Sequence, residues 1–528
     1  MISTQEKTSS GLSVNRPFNS YIGSGQQMLL LLVAFLCVRL PFLFVTNNSN
    51  AGDAWDRYQM ALDWSTHPTQ LPSPVWLPMH FWIMGLALKL SRSELAVRLV
   101  SVFVGSLTIL PFWKLVKGLF DVRVATYSAL SFAVLGIHVG YSVVSSSEVL
   151  TVCFLVFGIY AWFQYRLSDS QCWATLSGLA LSAACLCRYE PWLAVITLNV
   201  LNVTDINGIR LRQRRWRPLL TFLFWSSAGA MAWCAFSYYK WHDPFFSAHQ
   251  TISLNGADPN KGQLLYRLAV VPGAIVASMG PLALLSALGI ASSITRLRSP
   301  KWELSIVVTI LLLTHYANSV LHSVTQARYI LIYVWLLIPF AYEGMQTWME
   351  RHLPRWSRHA LIAILLSFFM WQIGITVVAR FGPCVLGDRL GQVSPTLPFR
   401  CGLRGLISWM DDHSTSGQSI ILDNFSAEAR EVVRFAHLMP GAVFTVSKLS
   451  GPADLQSMSR FVEDQHPRLL IYAPCGNLGR IESLPDAKDV AIQTSRVTLR
   501  LHRLWSAGDA DYRIYEVEPI HRNEKEVN

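Results

Sequence analysis

Long apolar segments separated by polar loops occupy most of the chain, from residue 27 to residue 379. A helix needs about 20 residues to cross the hydrocarbon core of a bilayer, so segments of this length predict transmembrane helices. The eleven predicted spans are 27–45, 95–117, 123–142, 148–166, 172–187, 190–203, 218–239, 268–290, 303–322, 329–345 and 359–379. The pattern therefore predicts an α-helical, multi-pass membrane domain.

The basic residues between the spans decide whether one further apolar run, 75–90, crosses the membrane. If it does not cross, every basic cluster falls on the side of the N-terminal tail, as the positive-inside rule requires. We therefore predict that 75–90 lies in the outer interface, where Trp76, Phe81 and Trp82 are favourable. The basic clusters are Lys114/Lys117/Arg123, Arg210/Arg212/Arg214/Arg215/Arg217, Arg296/Arg298/Lys301 and Arg351/Arg355/Arg358.

This orientation divides the chain into three predicted parts. Residues 1–26 form a cytoplasmic tail, and residues 27–379 form the transmembrane domain with the external loop 46–94. Residues 380–528 form an extracytoplasmic domain. The tail is long for the first part of a signal peptide, so the first apolar segment is interpreted as a retained anchor.

The C-terminal part has the pattern of a small α/β domain. Short apolar runs alternate with amphipathic stretches, an order that predicts a parallel sheet. The predicted strands are 419–424, 442–447 and 468–473, the predicted helices are 426–438 and 452–465, and Val497–Trp505 with Tyr512–Val517 is predicted as an antiparallel pair at the sheet edge. No glycine-rich phosphate loop follows the first strand, which disfavours nucleotide binding.

Composition supports the membrane class: the 528 residues are 52% hydrophobic and 15% charged, with mean hydropathy +0.33. The net charge of +11 arises from clusters between apolar runs rather than from one basic face, which argues against nucleic acid as a partner. The nine cysteines show no zinc-binding spacing. Cys384 and Cys401 both follow the last span, and in an oxidising compartment they are predicted to form a disulfide worth about 3 kcal/mol.

Ionisable residues concentrate in the predicted external loops. Such groups near a membrane are costly and indicate function by default. They are Asp53, Asp56, Arg57 and Asp63 in the first loop, Glu148 at a helix start, Arg188 and Glu190 in a turn, His242, Asp243, His249 and Lys261 in a later loop, and Arg328 before a late span.

In its residues 27–345 the chain resembles the GT-C glycosyltransferases. The similarity is strongest to the branch that contains the protein O-mannosyltransferases and the lipid A aminoarabinose transferases. The motifs that carry it are Gly52-Asp53, Pro78-Met-His80-Phe-Trp, Ala96-Val-Arg98-Leu-Val-Ser101, Glu148 at a helix start, Leu186-Cys-Arg188-Tyr-Glu190 and Arg328-Tyr329-Ile. The resemblance implies a polyprenyl-phosphate sugar donor that enters from the bilayer lipids, and transfer of a hexosyl or pentosyl group on the external face.

The resemblance also implies roles for individual residues. Asp53 takes the place of the general base in an inverting transfer, which must accept the proton of the acceptor hydroxyl. Arg328, Arg188 and Arg57 are the candidate ligands of the donor phosphate, since guanidinium groups bind phosphate through two hydrogen bonds. Glu148 is the second candidate catalytic residue. It stands where many members of the family have Asp, so it keeps the charge on a longer side chain. Lys261 is a further candidate phosphate ligand.

Each assignment has a structural alternative. Asp53 also fits a helix N-cap, and Glu148 is favourable at the positive end of a helix dipole. Arg188 and Glu190 fit an ion pair with each other. Arg328 also fits a side chain that extends to the membrane interface.

The remaining loop residues give weaker signals. Asp56 and Asp63 fit a solvated helix face, and Arg98 fits a helix end although it belongs to the resemblance. His242 and His249 are candidate ligands of a divalent metal, but no accompanying cluster of metal ligands is evident. No cofactor is otherwise indicated.

Two other functions are compatible with this sequence. A transporter or flippase of lipid-linked sugars is expected to contain paired broken helices, and no such symmetry is evident. A non-catalytic assembly protein would use residues 380–528 to recruit partners. The Trp-Trp-Asp motif of oligosaccharyltransferase catalytic subunits is absent from the sequence, which argues against N-glycosylation. The sugar and the acceptor (a protein, a lipid or a glycan) stay open.

Overall fold

The structure is a computed structural model, and it combines a large helical part with a small C-terminal sheet. It describes residues 21–44, 53–71, 73, 75–204, 216–250, 264–295, 300–322, 326–352, 354–381, 390–396, 406, 409–410, 412–413, 418–423, 443–446, 452–472, 489–493, 497–506 and 513–521. Cys384, Cys401 and Lys261 lie outside the described residues, so the predicted disulfide and the role of that lysine stay predictions.

The helical part occupies the region of the predicted spans. The helices are numbered here in chain order among the described residues. They are α1 (Tyr21–Leu43), α2 (Asp53–Thr66), α3 (Met79–Leu90), α4 (Glu94–Leu107), α5 (Ile109–Leu119), α6 (Val122–Val134), α7 (Gly136–Ser142), α8 (Ser147–Ser168), α9 (Gln171–Cys187), α10 (Glu190–Thr204), α11 (Trp216–Trp241), α12 (Leu264–Met279), α13 (Pro281–Thr295), α14 (Pro300–His322), α15 (Leu331–His352) and α16 (Ser357–Phe381).

Seven helices in the described part of the chain are long and apolar enough to cross a membrane, with α4 and α5 counted as one. Two bent pairs, α6 with α7 and α12 with α13, raise the number to nine. The remaining two predicted spans are α9 and α10, which have 17 and 15 residues. The multi-pass helical fold is therefore confirmed, and the predicted count of eleven spans includes these bent and short helices.

The predicted span over 268–290 is bent in the structure. α12 and α13 meet at an angle of 106°. The break lies at Gly280, whose φ is +51°, and Pro281 follows it. Glycine adopts this left-handed conformation without a Cβ clash, and proline at the first position of a helix needs no N–H partner. The bend between α6 and α7 is smaller, at 56°.

The run 75–90 contains α3, whose 12 residues are too few to cross a bilayer. The aromatic residues predicted to lie in the outer interface differ in their surroundings. Phe81 is fully buried, whereas Trp82 is 37% exposed. The reason is that α3 packs against α2 and α4, so only one of its sides faces outward.

The C-terminal sheet has six strands in the order β2-β1-β3-β6-β5-β4. Strands β1, β2 and β3 are parallel, as predicted, and the other neighbours are antiparallel. The elements are β1 (Ile420–Asp423), β2 (Val443–Val446), α17 (Pro452–Gln465), β3 (Leu469–Tyr472), β4 (Asp489–Gln493), β5 (Val497–Ser506) and β6 (Arg513–His521). The predicted helix 426–438 lies outside the described residues.

One part of the sheet prediction is wrong: the pair β5 and β6 is not at the edge. β6 lies between β3 and β5, and the unpredicted β4 forms the edge. The full burial of Ile514 and Tyr515 agrees with this central position of β6. A strand in the middle of a sheet needs neighbours on both sides to pair its backbone groups.

Close packing between α13 and α15 gives a first testable prediction. A Cβ atom at Gly289 would lie 2.0 Å from the carbonyl oxygen of Phe340, and that oxygen belongs to the backbone. We expect Gly289→Ala to force the two helices apart and to destabilise the protein by at least the 1–3 kcal/mol typical of overpacking. Thermal unfolding of the purified protein measures this effect.

Gly374 in α16 provides the matched control. A Cβ atom there meets nothing within 4 Å. Because Ala is the better helix former, Gly374→Ala should be neutral or slightly stabilising. Equal unfolding temperatures for the two variants would contradict the close approach of α13 and α15.

Candidate active site

Helix α2 contributes an anionic and a cationic group to one face. Asp53 opens the helix and Arg57 follows it by four residues, so the two side chains lie about one turn apart. The Asp53 carboxylate forms an ion pair with Arg328. Arg57 is 6% exposed, and its guanidinium carbon lies 4.5 Å from the centroid of the Trp76 ring.

Glu148 lies in the first turn of α8, where the helix dipole favours a carboxylate. Its side chain is fully enclosed, with a residue exposure of 1%. The Oε1 atom accepts a hydrogen bond from Arg188 Nη1 at 2.7 Å and lies 3.6 Å from Arg328 Nε. Glu148 therefore bridges two arginines from distant parts of the chain.

Arg188 lies between the end of α9 and the start of α10. On the side away from Glu148 it binds Glu190, with Nη2 donating to Oε1 at 2.7 Å. The guanidinium carbon also lies 4.7 Å from the centroid of the Tyr329 ring. Because the end of α9 thus meets the start of α8, these two helices form an antiparallel hairpin.

Arg328 lies in a short 3-10 turn, Ala327–Ile330, that leads into α15. It pairs with Asp53, as described, and its guanidinium carbon lies 5.5 Å from the centroid of the neighbouring Tyr329 ring. The Tyr329 ring therefore contacts both Arg328 and Arg188. This tyrosine is part of a sequence motif, but the sequence gives no reason to assign it a role in the site.

Together these side chains form a group that we call the ionic cluster. Its members are Asp53, Arg57, Glu148, Arg188, Glu190 and Arg328. Three carboxylates and three guanidinium groups give it a formal charge of zero. An anionic ligand must therefore compete with the carboxylates for the arginines. The most exposed of the three carboxylates is that of Asp53, at 39% of its side-chain area.

Three buried polar atoms in or beside the cluster lack hydrogen-bond partners in the described part of the chain. They are Nη1 of Arg57, Nε of Arg328, which lies 3.6 Å from Glu148 Oε1, and Nδ1 of His80. His80 is fully buried in α3, and its other ring nitrogen lies 3.4 Å from the Ser145 hydroxyl. Because buried donors are nearly always paired in native proteins, an unpaired guanidinium N–H beside a partly exposed carboxylate indicates space for an acceptor. His80 belongs to one of the motifs of the resemblance, but no role is predicted for it.

The electrostatics of α2 and α3 follow from this arrangement. Burial raises the pKa of Asp53, but Arg328 and Arg57 outweigh it and hold this pKa below its usual value. Burial also lowers the pKa of Arg57. Burial, and after it the charge of Arg57, lowers the pKa of His80 well below its usual range, so that imidazole is neutral near pH 7.

The other predicted site residues lie in different surroundings. His249 Nδ1 lies 2.8 Å from Asp243 Oδ2, and both side chains are partly exposed. His249 and the Phe245 amide lower the pKa of Asp243. His242 is exposed and has a φ of +56°. The described residues contain no group of three or more His, Cys, Asp or Glu side chains that could hold a metal ion.

Three further candidates, Arg98, Asp56 and Asp63, are not members of the ionic cluster. Arg98 donates hydrogen bonds to the carbonyls of Val143 and Leu43, at the ends of α7 and α1. It thereby fixes the connections that flank the ionic cluster. Asp56 is half-buried, and Asp63 is exposed near the end of α2.

The chain is similar in sequence to one known family and in fold to known structures. Residues 67–233 match the family described as dolichyl-phosphate-mannose-protein mannosyltransferase. No curated protein sequence matches the chain. The fold is similar to that of ArnT from Cupriavidus metallidurans bound to undecaprenyl phosphate, with TM-score 0.53 and 12% identity over 94% of this chain and 98% of that one.

The same protein in the apo state gives TM-score 0.50 and 13% identity, with the same coverage of both chains. The oligosaccharyltransferase of Archaeoglobus fulgidus in the apo form gives TM-score 0.49 and 11% identity, over 86% of this chain and 70% of that one. The similarity to ArnT, together with the matched family segment, confirms the predicted resemblance to GT-C glycosyltransferases at the level of the fold. The matched family segment begins directly after α2 and ends within α11.

Proposed function

We propose that this chain, which has the GT-C fold, transfers a sugar from a polyprenyl-phosphate donor to an acceptor at the ionic cluster. The observation that carries the proposal is the buried, unpaired Nη1 atom of Arg57, next to a paired but partly exposed Asp53. The match of residues 67–233 to a family named for a dolichyl-phosphate-mannose donor supports it. So does the undecaprenyl phosphate bound to ArnT.

The donor phosphate is held by Arg57 and Arg328. Arg57 offers a free N–H group, and guanidinium groups bind phosphate oxygens through strong, charge-assisted hydrogen bonds. Because the cluster is neutral, the phosphate competes with Asp53 for Arg328. Arg188 keeps both of its carboxylate partners, Glu148 and Glu190. It supports the site through its contacts with Glu148 and the Tyr329 ring.

When the donor phosphate binds Arg328, the Asp53 carboxylate loses its ion pair and becomes available as the general base. Asp53 carries a negative charge near pH 7 because its pKa lies below the usual value. Once free of Arg328, it accepts the proton of the acceptor hydroxyl as that oxygen attacks the anomeric carbon. The bond between the anomeric carbon and the phosphate oxygen breaks, and the electron pair leaves with the phosphate. Attack from the side opposite to the phosphate inverts the anomeric configuration.

Glu148 takes a different role from Asp53. It is buried and bonded to Arg188, with Arg328 close by, so it positions both arginines and does not contact the acceptor. Asp53 therefore accepts the proton, whereas Glu148 holds the two arginines in place.

We place the cluster on the external side of the membrane, with residues 1–26 in the cytoplasm and 380–528 outside. The basic clusters support this orientation. A single cysteine introduced at position 212 should resist an impermeant thiol reagent in intact cells, since 204–217 is predicted to lie inside. Strong labelling there would reverse the orientation.

Transfer from a radiolabelled donor tests the function itself. Membranes with and without the protein are incubated with polyprenyl phosphates that carry different sugars, and label is counted in the protein, lipid and polysaccharide fractions. The protein should add label to one fraction, which also identifies the acceptor class. A transporter, whose paired broken helices the bends of α6/α7 and α12/α13 resemble, would move the donor across vesicles without any transfer.

A further inference from the structure

A short segment after the last long helix returns to the helical part of the protein. We call residues 390–396 the strap. Two turns shape it, with the Val393 amide bonded to the Leu390 carbonyl at 3.0 Å and the Ser394 amide to the Gly391 carbonyl at 3.3 Å. Val393, Ser394 and Thr396 are at most 5% exposed, so the strap is packed into the protein.

The strap contacts the turn that carries Arg328. Gln392 Oε1 accepts a hydrogen bond from the Ala327 amide at 3.2 Å. The first N–H groups of a helical turn have no partner within the turn. Gln326, the residue that precedes the turn Ala327–Ile330, provides no side-chain cap. Gln392 thus supplies, from 65 residues along the chain, the cap that this turn lacks.

The strap also contacts the bend between α6 and α7. A Cβ atom at Gly136 would lie 2.9 Å from Pro395 Cδ and 3.0 Å from the Val393 carbonyl oxygen. The Gly136 amide donates to Gln372 Oε1 of α16 at 2.9 Å. Since α7 leads within a few residues to the start of α8, this bend sets the position of Glu148.

We infer that the strap positions the two sides of the ionic cluster relative to each other, and that Gln392 is a positioning residue for Arg328. The inference rests on the proposed function for its catalytic meaning, but not for its geometry. Arg328 and Glu148 meet in the cluster. The strap is packed against the turn that carries Arg328 and against the bend that precedes Glu148. A loss of the Gln392 contact lets the Arg328 turn move away from Asp53.

Two substitutions at Gln392 separate positioning from packing. Gln392→Leu keeps most of the side-chain volume but removes the acceptor, whereas Gln392→Glu keeps an acceptor oxygen. Hydrogen–deuterium exchange resolved at single amides measures how far the hydrogen bond from Gln392 protects the Ala327 amide. We expect faster exchange at that amide in Gln392→Leu, near wild-type exchange in Gln392→Glu, and similar unfolding temperatures for both.

Sugar transfer gives the functional readout. Because a displacement of about 1 Å in a site costs up to about 100-fold in rate, we expect Gln392→Leu to lose 10- to 100-fold in kcat, and Gln392→Glu to recover most of it. Unchanged exchange at Ala327 in Gln392→Leu would overturn the inference, and so would unchanged kcat. If the wild-type protein transfers no sugar, the proposed function fails, while the exchange experiment still decides whether the strap holds the turn.

Discussion

Asp53→Asn should lower the rate of sugar transfer by about 10²–10⁴-fold, the usual contribution of a general base. Asparagine keeps the size and shape of the side chain but cannot accept the proton of the acceptor hydroxyl. It also ends the charge pairing with Arg328, so that arginine becomes available to the donor phosphate. Donor binding should therefore persist or strengthen while transfer is lost, which separate measurements of binding and turnover would detect.

Asp56→Asn is the matched control, because Asp56 lies one turn from Asp53 on the same helix and is also half-buried. It should retain most of the transfer activity. Asparagine is also a good N-cap residue, so a purely capping Asp53 would tolerate the change. Full transfer activity in Asp53→Asn would end its assignment as the base and direct the search to Asp56.

Glu148→Ala should destabilise the protein by about 3 kcal/mol, the lower end of the range for removing one partner of a buried ion pair. The substitution removes the enclosed carboxylate that bonds Arg188 and leaves two guanidinium groups with one carboxylate partner each. Arg188 keeps Glu190 and Arg328 keeps Asp53, which is why the larger values in that range are not expected. Thermal unfolding of the purified protein measures the change.

Two controls separate burial from charge at this position. Glu148→Asp keeps the charge with a shorter side chain, so it should lose less stability than Glu148→Ala. Glu190→Ala removes a partner of the same Arg188, but the Glu190 side chain is 28% exposed, and exposed pairs contribute about 0–1 kcal/mol. If Glu190→Ala destabilised the protein as much as Glu148→Ala, the special role of the buried carboxylate would be refuted.

The sequence predicts the helical membrane part well because hydrophobic length is a local property. Segment 148–166 and helix α8 agree closely, as do 303–322 and α14. The Gly280-Pro281 pair is a local signal for the break between α12 and α13. The apolar sequence continues on both sides of this pair, however, so the hydropathy pattern alone predicts a single span.

The sequence also predicts which loops contribute to the site, but not how their charges pair. Asp53, Glu148 and Arg328 are separated by up to 275 residues, and only the packing of helix ends decides that Arg328 meets both carboxylates. The same limit applies to Gln392, whose single hydrogen bond to Ala327 has no pattern in the sequence.

The order of strands in the sheet has a similar origin. β6 reads as an alternating strand from the sequence, and nothing local distinguishes an edge strand from a central one in this case. Its place between β3 and β5 depends on non-local pairing, with Leu470 opposite Tyr515 on one side and Leu501 opposite Val517 on the other.

Binding of undecaprenyl phosphate to the purified protein tests most directly whether the ionic cluster is a phosphate site. Wild-type protein should bind this lipid saturably. Arg57→Leu should weaken binding at least about 10-fold, since a hydrogen bond to a charged group contributes about 1.5–3 kcal/mol. Arg92→Leu, at an exposed arginine between α3 and α4, should leave binding unchanged. Equal affinity of the wild-type and Arg57→Leu proteins, or no saturable binding at all, would contradict the proposal.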